Sequence, residues 1–177
     1  MIIGRIAYLN AGEAIMEKGR SRAYVRLIIA VAICEGAGIV GSFFTTPAIS
    51  TWYAGLRKPD FAPPNWVFGP VWTTLYLLMG ISLFIVWKAG LDKIAVRRSV
   101  VVFGVQLVLN ILWSYLFFGL RSPLFGLIEI MVMWIAIALT IVFFLKVSKT
   151  AALLLVPYLL WVSIASYLNY LLLMLNP

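Results

Sequence analysis

The sequence predicts an all-α membrane protein, a five-transmembrane-helix bundle, and three observations carry that prediction. Of its 177 residues 64% belong to the AVILMFWYC set and only 11% are charged, against roughly 45–50% apolar and about 25% charged in a soluble domain. A hydrocarbon core about 30 Å thick needs about 20 apolar residues in a helix, and runs of that length recur five times. Lys and Arg then fall almost entirely on one side of those runs. So little charge cannot cover a water-facing surface, which excludes an ordinary cytosolic enzyme, a disordered chain and a disulfide scaffold.

The spans are expected at about 26–44, 66–87, 99–118, 124–145 and 152–174, giving a membrane domain over 26–176 behind a basic tail at 1–25. The tail has no uninterrupted apolar core of the length a cleavable signal needs. Ile2, Ile6, Leu9 and Met16 fall roughly on one helical face, so it reads either as a mobile basic tail or as a short interfacial helix. Three connections, 88–98, 119–123 and 146–151, are short enough to join antiparallel neighbours. The first, 45–65, is 21 residues long, and loops of that length tend to be lids or binding elements. Pro70 and Pro157 lie inside helical patterns and are expected to kink or loosen spans two and five.

With five spans, the N-terminus and the second and fourth connections share a side holding eleven Lys and Arg, whereas the opposite side holds Arg57, Lys58 and Arg121. The positive-inside rule therefore places the N-terminus in the cytoplasm and the 45–65 loop and the C-terminus outside. The formal net charge of +8 reads first as topology. The basic stretch 18–26 suits anionic lipid better than nucleic acid, and no nucleic-acid partner is expected.

Several chemistries are excluded. Without a histidine, imidazole acid–base catalysis, histidine-ligated haem and most zinc sites are out. The single cysteine, Cys34, cannot form an internal disulfide. No phosphate-cradling glycine loop, metal-ligand cluster or nucleophile–base pair can be drawn, so no conventional catalytic site, metal or required cofactor is expected.

What remains is aromatic and amide chemistry. The segment from Trp52 and Tyr53 through Arg57, Lys58, Pro59, Phe61, Pro63 and Pro64 to Trp66 is stiffened by its prolines. It fits either a lid with stacking rings and two cations for an acidic ligand group, or an interfacial aromatic belt. Trp72, Trp113, Trp134 and Trp161 lie well inside spans, where an indole N–H wants a partner. Trp72 and Tyr76 are four residues apart on span two; Tyr158, Trp161 and Ala165 share a face of span five, where the small alanine leaves room beside the indole. Gln106, Asn110 and Ser114 form a stripe on span three that should face the bundle interior, as a pocket wall or as interhelical glue. Glu35 lies near the middle of span one, followed by Gly36, Gly38 and Gly41, which allow close helix approach. A charge there costs about 2.5–3.5 kcal/mol or more. Glu129, early in span four, should sit level with Trp113, whose indole N–H could reach it. Structural hydrogen bonding and proton relay are both open for the two glutamates.

These motifs resemble the translocator protein (TspO, tryptophan-rich sensory, peripheral benzodiazepine receptor) family. The resemblance rests on Trp52-Tyr53-x-x-Leu56-x-Lys58-Pro59-x-Phe61-x-Pro63-Pro64-x-Trp66, Gly69-Pro70-Val71-Trp72, Gln106-x-x-x-Asn110, Phe117-Phe118-Gly119-x-Arg121, Pro157-Tyr158-x-x-Trp161 and Leu168-Asn169-Tyr170. It implies a five-helix bundle, usually a homodimer, in a prokaryotic cell membrane, with a pocket under the first loop for porphyrins such as protoporphyrin IX and for drug-like hydrophobic compounds. Carried over by motif, Trp52 and Tyr53 belong to the lid, and Trp72, Gln106, Asn110, Trp161 and Ala165 to the pocket. Family members are also reported to promote light-dependent porphyrin breakdown, for which Trp72 and Trp161 are the photochemical candidates. No Lys or Arg follows Tyr170, so the sterol-type pattern is missing and sterol binding is not expected.

Three functions follow. The leading one is a membrane receptor or carrier for tetrapyrroles: Trp72, Trp161 and Tyr53 offer ring faces, Gln106 and Asn110 polar edges, and Arg57 and Lys58 partners for ligand carboxylates. The alternative is a proton-coupled exporter of lipophilic compounds using Glu35, which the odd span count and the long aromatic loop fit poorly. The third is photochemical breakdown of a bound porphyrin.

Overall fold

The computed structural model describes residues 2–176, with side chains described for residues 17 and 19–176. It consists of α1 (Ile2–Ile49), the short α2 (Trp52–Gly55), α3 (Asn65–Lys88), α4 (Ile94–Ser114) running into a π-helical turn (Tyr115–Gly119), α5 (Pro123–Leu145), α6 (Lys149–Leu154) and α7 (Val156–Leu175). There is no strand among the described residues. Gly19–Ile49, Asn65–Lys88, Ile94–Gly119, Pro123–Leu145 and Lys149–Leu175 are each long and apolar enough to cross a bilayer. The chain is an all-α, multi-pass integral membrane protein.

All five expected spans are present, with edges that differ in an instructive way. The helix of span one does not stop at 44 but continues through Pro47 to Ile49, and it begins at Ile2 rather than after a tail. Residues 2–25 belong to the same unbroken helix as span one; the side chains of Ile2, Ile6, Leu9 and Met16 lie outside the described residues. The first connection is correspondingly shorter than 45–65, and it carries the single turn α2. Polarity defines how much of a helix lies in hydrocarbon, whereas backbone hydrogen bonding defines where the helix ends, and the two need not coincide.

Pro70 and Pro157 behave differently. Helix α3 runs through Pro70 unbroken, and the Thr74 hydroxyl donates to the Pro70 carbonyl at 2.9 Å. At Pro157, which has no N–H to give, the fifth span breaks into α6 and α7 at Leu155. Helix α6 is capped by Ser148, whose Oγ accepts from the Ala151 N–H at 3.3 Å, and it is tied to α3 by the Ser82 hydroxyl, which donates to the Ala151 carbonyl at 2.7 Å.

Helix α1 packs on α3, α4 on α5 and α5 on α7, while α6 fills the corner between α3 and α5. Gly80 makes the first contact possible: a Cβ there would stand 2.6 Å from the Cα of Val31. Outward faces are aliphatic and aromatic, with Ile28, Phe43, Val101 and Ile128 all more than half exposed, as expected where lipid is the solvent.

Candidate ligand-binding site

The first connection folds back over one end of the bundle. Helix α2 turns Tyr53 inward until its ring is 2% exposed, edge-on to Phe68 and Phe117 with centroids 6.3 Å away. Burial pushes the Tyr53 phenol up from its ordinary range. Trp52 meets Phe117 edge-on at 5.4 Å. The lid is fastened to the far end of the chain: the Arg57 N–H donates to Asn176 Oδ1 at 2.9 Å, and Asn176 Nδ2 donates back to the Arg57 carbonyl at 3.0 Å. Phe61 stacks on Tyr167 of α7, centroids 5.7 Å apart. Lys58 Nζ lies 4.5 Å from the Tyr53 ring centre, a cation–π contact, while Arg57 is exposed at the surface.

Below the lid, rings bridge α3 to α7. Phe68 meets Trp161 at 6.0 Å and Trp72 meets Tyr158 at 6.1 Å, both edge-on, while Trp72 stacks on Tyr76 at 5.5 Å. The break at Leu155 lets α6 dock against α3 while α7 stands off, and side chains rather than backbones cross the remaining gap. At the bottom of this layer the Tyr76 hydroxyl donates to Asn110 Oδ1, Asn110 Nδ2 donates to the Tyr158 hydroxyl at 2.9 Å, and that hydroxyl faces Met133 Sδ at 3.5 Å. Gln106 and Asn110 are 1% and 2% exposed, so the span-three stripe faces inward as its spacing predicts. Asn110 acts as interhelical glue. Gln106 does not: both ends of its amide lack a protein partner, as do Trp161 Nε1 and the Tyr53 hydroxyl.

One expected contact is absent. The Trp113 indole N–H reaches Asn169 Oδ1 at 3.4 Å, not Glu129, whose two carboxylate oxygens are buried without a partner. The reason lies in the turn into α5. The π-helical turn inserts an extra residue per turn after Ser114, with the Leu120 N–H on the Tyr115 carbonyl at 2.8 Å. Gly126 then lets α5 approach so closely that an added Cβ would stand 2.9 Å from Asn169 Oδ1. Asn169, which also donates to the Pro123 carbonyl at 2.8 Å, takes the position opposite the indole. Trp134, the fourth mid-span tryptophan, donates to Ser163 Oγ at 2.8 Å and is unrelated to the lid.

Two spaces lie under the lid; of the residues expected to share one pocket, Trp72, Tyr53 and Ala165 are divided between them, and Trp52, Gln106, Asn110 and Trp161 line neither. A cavity of about 500 Å³ runs between α1 and α3 against α4, and Trp72 is the one expected pocket residue lining it. A small void of about 20 Å³ beside α7 is lined by Tyr53 and Ala165. Phe68, Trp113 and Phe118 line both and form the partition between them. Trp161 touches the partition through Phe68, Trp52 packs on Phe117 beside it, and Gln106 and Asn110 lie deeper. The contributions of Glu35, Ser42, Thr45 and Thr73 to the large cavity were not legible in composition or motif. The only sequence signal was Glu35 followed by small residues, and two of these are where α1 meets its neighbours. A Cβ on Gly38 would overlap the Tyr76 ring, and one on Gly41 would stand 3.1 Å from Ser114 Oγ.

Residues 30–175 match the model of the TspO/MBR family. The chain is 50% identical to the tryptophan-rich protein TspO of Chlorobaculum tepidum over 85% of its length and 96% of that protein. It is 49% identical to the protein of the same name from Archaeoglobus fulgidus, over 86% of this chain and 97% of that one. The human translocator protein is similar too, at 44% identity over 74% of this chain and 78% of its own. A lid of aromatic residues over a five-helix bundle, with the bundle from residue 30 onward inside the matched segment, completes the assignment: this chain belongs to the TspO/MBR family.

Proposed function

We propose that the protein is a membrane receptor or carrier that binds porphyrins of the protoporphyrin IX type across the aromatic partition beneath the lid. The observation that carries this reading is the set of inward-facing polar atoms without protein partners, Tyr53 Oη, Trp161 Nε1 and the Gln106 amide, among rings that meet edge-on. A buried polar group left unmet costs about 1–3 kcal/mol, so several in one region mark a place built for a guest. A planar macrocycle needs flat apolar walls, a few polar atoms at its rim and cations for its propionates. Trp72 and Trp161 supply the first, Gln106 and Asn110 the second, and Lys58 and Arg57 in the lid the third. Movement of Phe68 and its neighbours would join the two spaces. With no histidine in the chain, a metal-free porphyrin suits the site better than histidine-ligated haem. Sterols are not proposed, and drug-like hydrophobic compounds would compete for the same walls. The protein carries no resident cofactor in this reading and works as a homodimer in a prokaryotic cell membrane.

Quenching of intrinsic tryptophan fluorescence by protoporphyrin IX, haem, a bilin and cholesterol tests the assignment. Saturable quenching by protoporphyrin IX is expected, and its absence overturns the reading. Phe in place of Trp72 or Trp161 keeps an aromatic face, so affinity should fall no more than about tenfold. Phenyl is harder to oxidise than indole, so bleaching of the bound porphyrin under fixed illumination should fall much further. Trp134→Phe should change neither; equal losses in affinity and bleaching would reduce the two indoles to packing. Orientation is tested with added cysteines: those in the lid or after Pro177 should be labelled from outside intact cells, and one at 88–98 should not.

A further inference from the structure

We propose that the cavity between α1 and α3 also takes a free amphiphilic amine, with Glu35 as counter-ion to its ammonium group. It shares the Trp72 and Phe68 walls with the porphyrin reading, but its charge partner, Glu35, takes no part in that reading. Glu35 lines the deep end of the cavity, and Ile49 of the same helix lines its lid end. The fourteen-residue separation between them corresponds to about 21 Å of helix, so the space is long rather than round. Its other wall is aromatic, with Trp66, Phe68, Trp72 and Tyr76 following one another along α3. Ser42, Thr46 and Thr73, all exposed, edge the opening between the two helices, and Trp66 at the lid end is 74% exposed.

The charge pattern selects the ligand. Glu35 is the one acidic residue among the residues that line the cavity, and none of them is Lys or Arg. The side-chain hydrogen bonds of this stretch of α1 are local, from Ser42 to the Ile39 carbonyl and from Thr45 to the Gly41 carbonyl, and the Glu35 carboxylate takes no part in them. A carboxylate at mid-bilayer depth is stabilised by a cation brought to it, and electron-rich ring faces beside it favour the same charge. A zwitterionic lipid headgroup would bring a phosphate into a space with no cation to meet it. A single-chain amine, its ammonium at Glu35 and its apolar body along Trp72 and Phe68, leaves no charge unmatched. Porphyrin propionates meet the reverse situation at Glu35 and take their cations from the lid, so the two ligands compete for Trp72 and Phe68 but not for Glu35.

Dansylcadaverine and its neutral N-acetyl derivative make a matched pair of probes, because tryptophan excitation transfers to dansyl. Titrated into the full-length protein in a neutral detergent, the amine should bind at least tenfold more tightly than the N-acetyl compound. Glu35→Gln should bring the two within about threefold by weakening only the amine, and Glu35→Asp should restore part of the preference. Ser42→Leu, which narrows the space without touching the charge, should weaken both probes alike. Thermal unfolding of each variant reports whether it has folded, and a protoporphyrin IX titration, which Glu35→Gln should leave unchanged, separates failure of the amine site from failure of the porphyrin reading. Equal binding of the two probes to the wild-type protein, no binding of either, or a preference that survives Glu35→Gln would each overturn the proposal.

Discussion

On the side of the bundle where α3 ends and α4 begins, the interior is filled by small and aliphatic side chains, among them Ala30, Val86, Val96, Ala151 and Leu155, around one closely stacked pair of rings, Phe103 on Phe144. The buried hydroxyls there are satisfied by backbone: Ser82 by Ala151, Ser99 by Ala95 and Phe143, and Thr140 by Ala136. On the lid side, rings meet edge-on, a cavity of about 500 Å³ stays open, and buried polar atoms of Tyr53, Glu129 and Trp161 have no protein partner. Both halves consist of the same five helices in the same lipid. Small residues and hydroxyls that bond to backbone close a bundle, whereas aromatic rings and amides that cannot bond to their own helix hold it open.

The largest expected effect comes from disturbing the closed half. Gly80→Leu drives a side chain into the backbone of Val31, which cannot shift as a flexible side chain would, and should cost about 3 kcal/mol or more in detergent unfolding. Gly36→Ala, on the same α1–α3 pair but with nothing within 4 Å of the new Cβ, should be neutral or gain up to about 1 kcal/mol. Similar losses for both would mean that the closed half is not closely packed.

Next is the boundary between the halves. Asn110→Leu removes the amide that joins the Tyr76 and Tyr158 hydroxyls and leaves both phenols without that partner, at an expected cost of about 2–3 kcal/mol. Gln106→Leu, one turn away, should have the opposite sign. Its amide has no partner to lose, so stability should hold or rise by about 1 kcal/mol while protoporphyrin affinity falls. A stability loss for Gln106→Leu matching that of Asn110→Leu would show that the glutamine is structural after all, and would sharpen the border between the halves.

The smallest effect is at the lid. Asn176→Ala removes the two bonds that hold Arg57, both exposed, and should cost less than about 1 kcal/mol. It should, however, speed both association and release of protoporphyrin IX in stopped-flow quenching, because the lid is then tied to α7 mainly by Phe61 on Tyr167. Unchanged rates would mean that ligands enter between α1 and α3 rather than past the lid.

The sequence by itself determined the solvent, the number of spans and which face of span three turns inward. Each of these depends on local arithmetic: apolar residues per helix length, and the spacing of Gln106, Asn110 and Ser114. The Trp72–Tyr76 stack and the break near Pro157 were legible for the same reason, since both partners or the breaker lie within one turn. Contacts between helices were not. Trp113 turns to Asn169 rather than Glu129 because a π-helical turn and the missing side chain of Gly126 bring α5 and α7 together there. The tertiary structure alone decided that Trp72 lies on one side, and Tyr53 and Ala165 on the other, of a partition made by Phe68, Trp113 and Phe118. It alone put Glu35 on the wall of the larger space. Where rings from three helices come to rest depends on small offsets in helix position, and a residue's spacing within its own helix carries no information about those offsets.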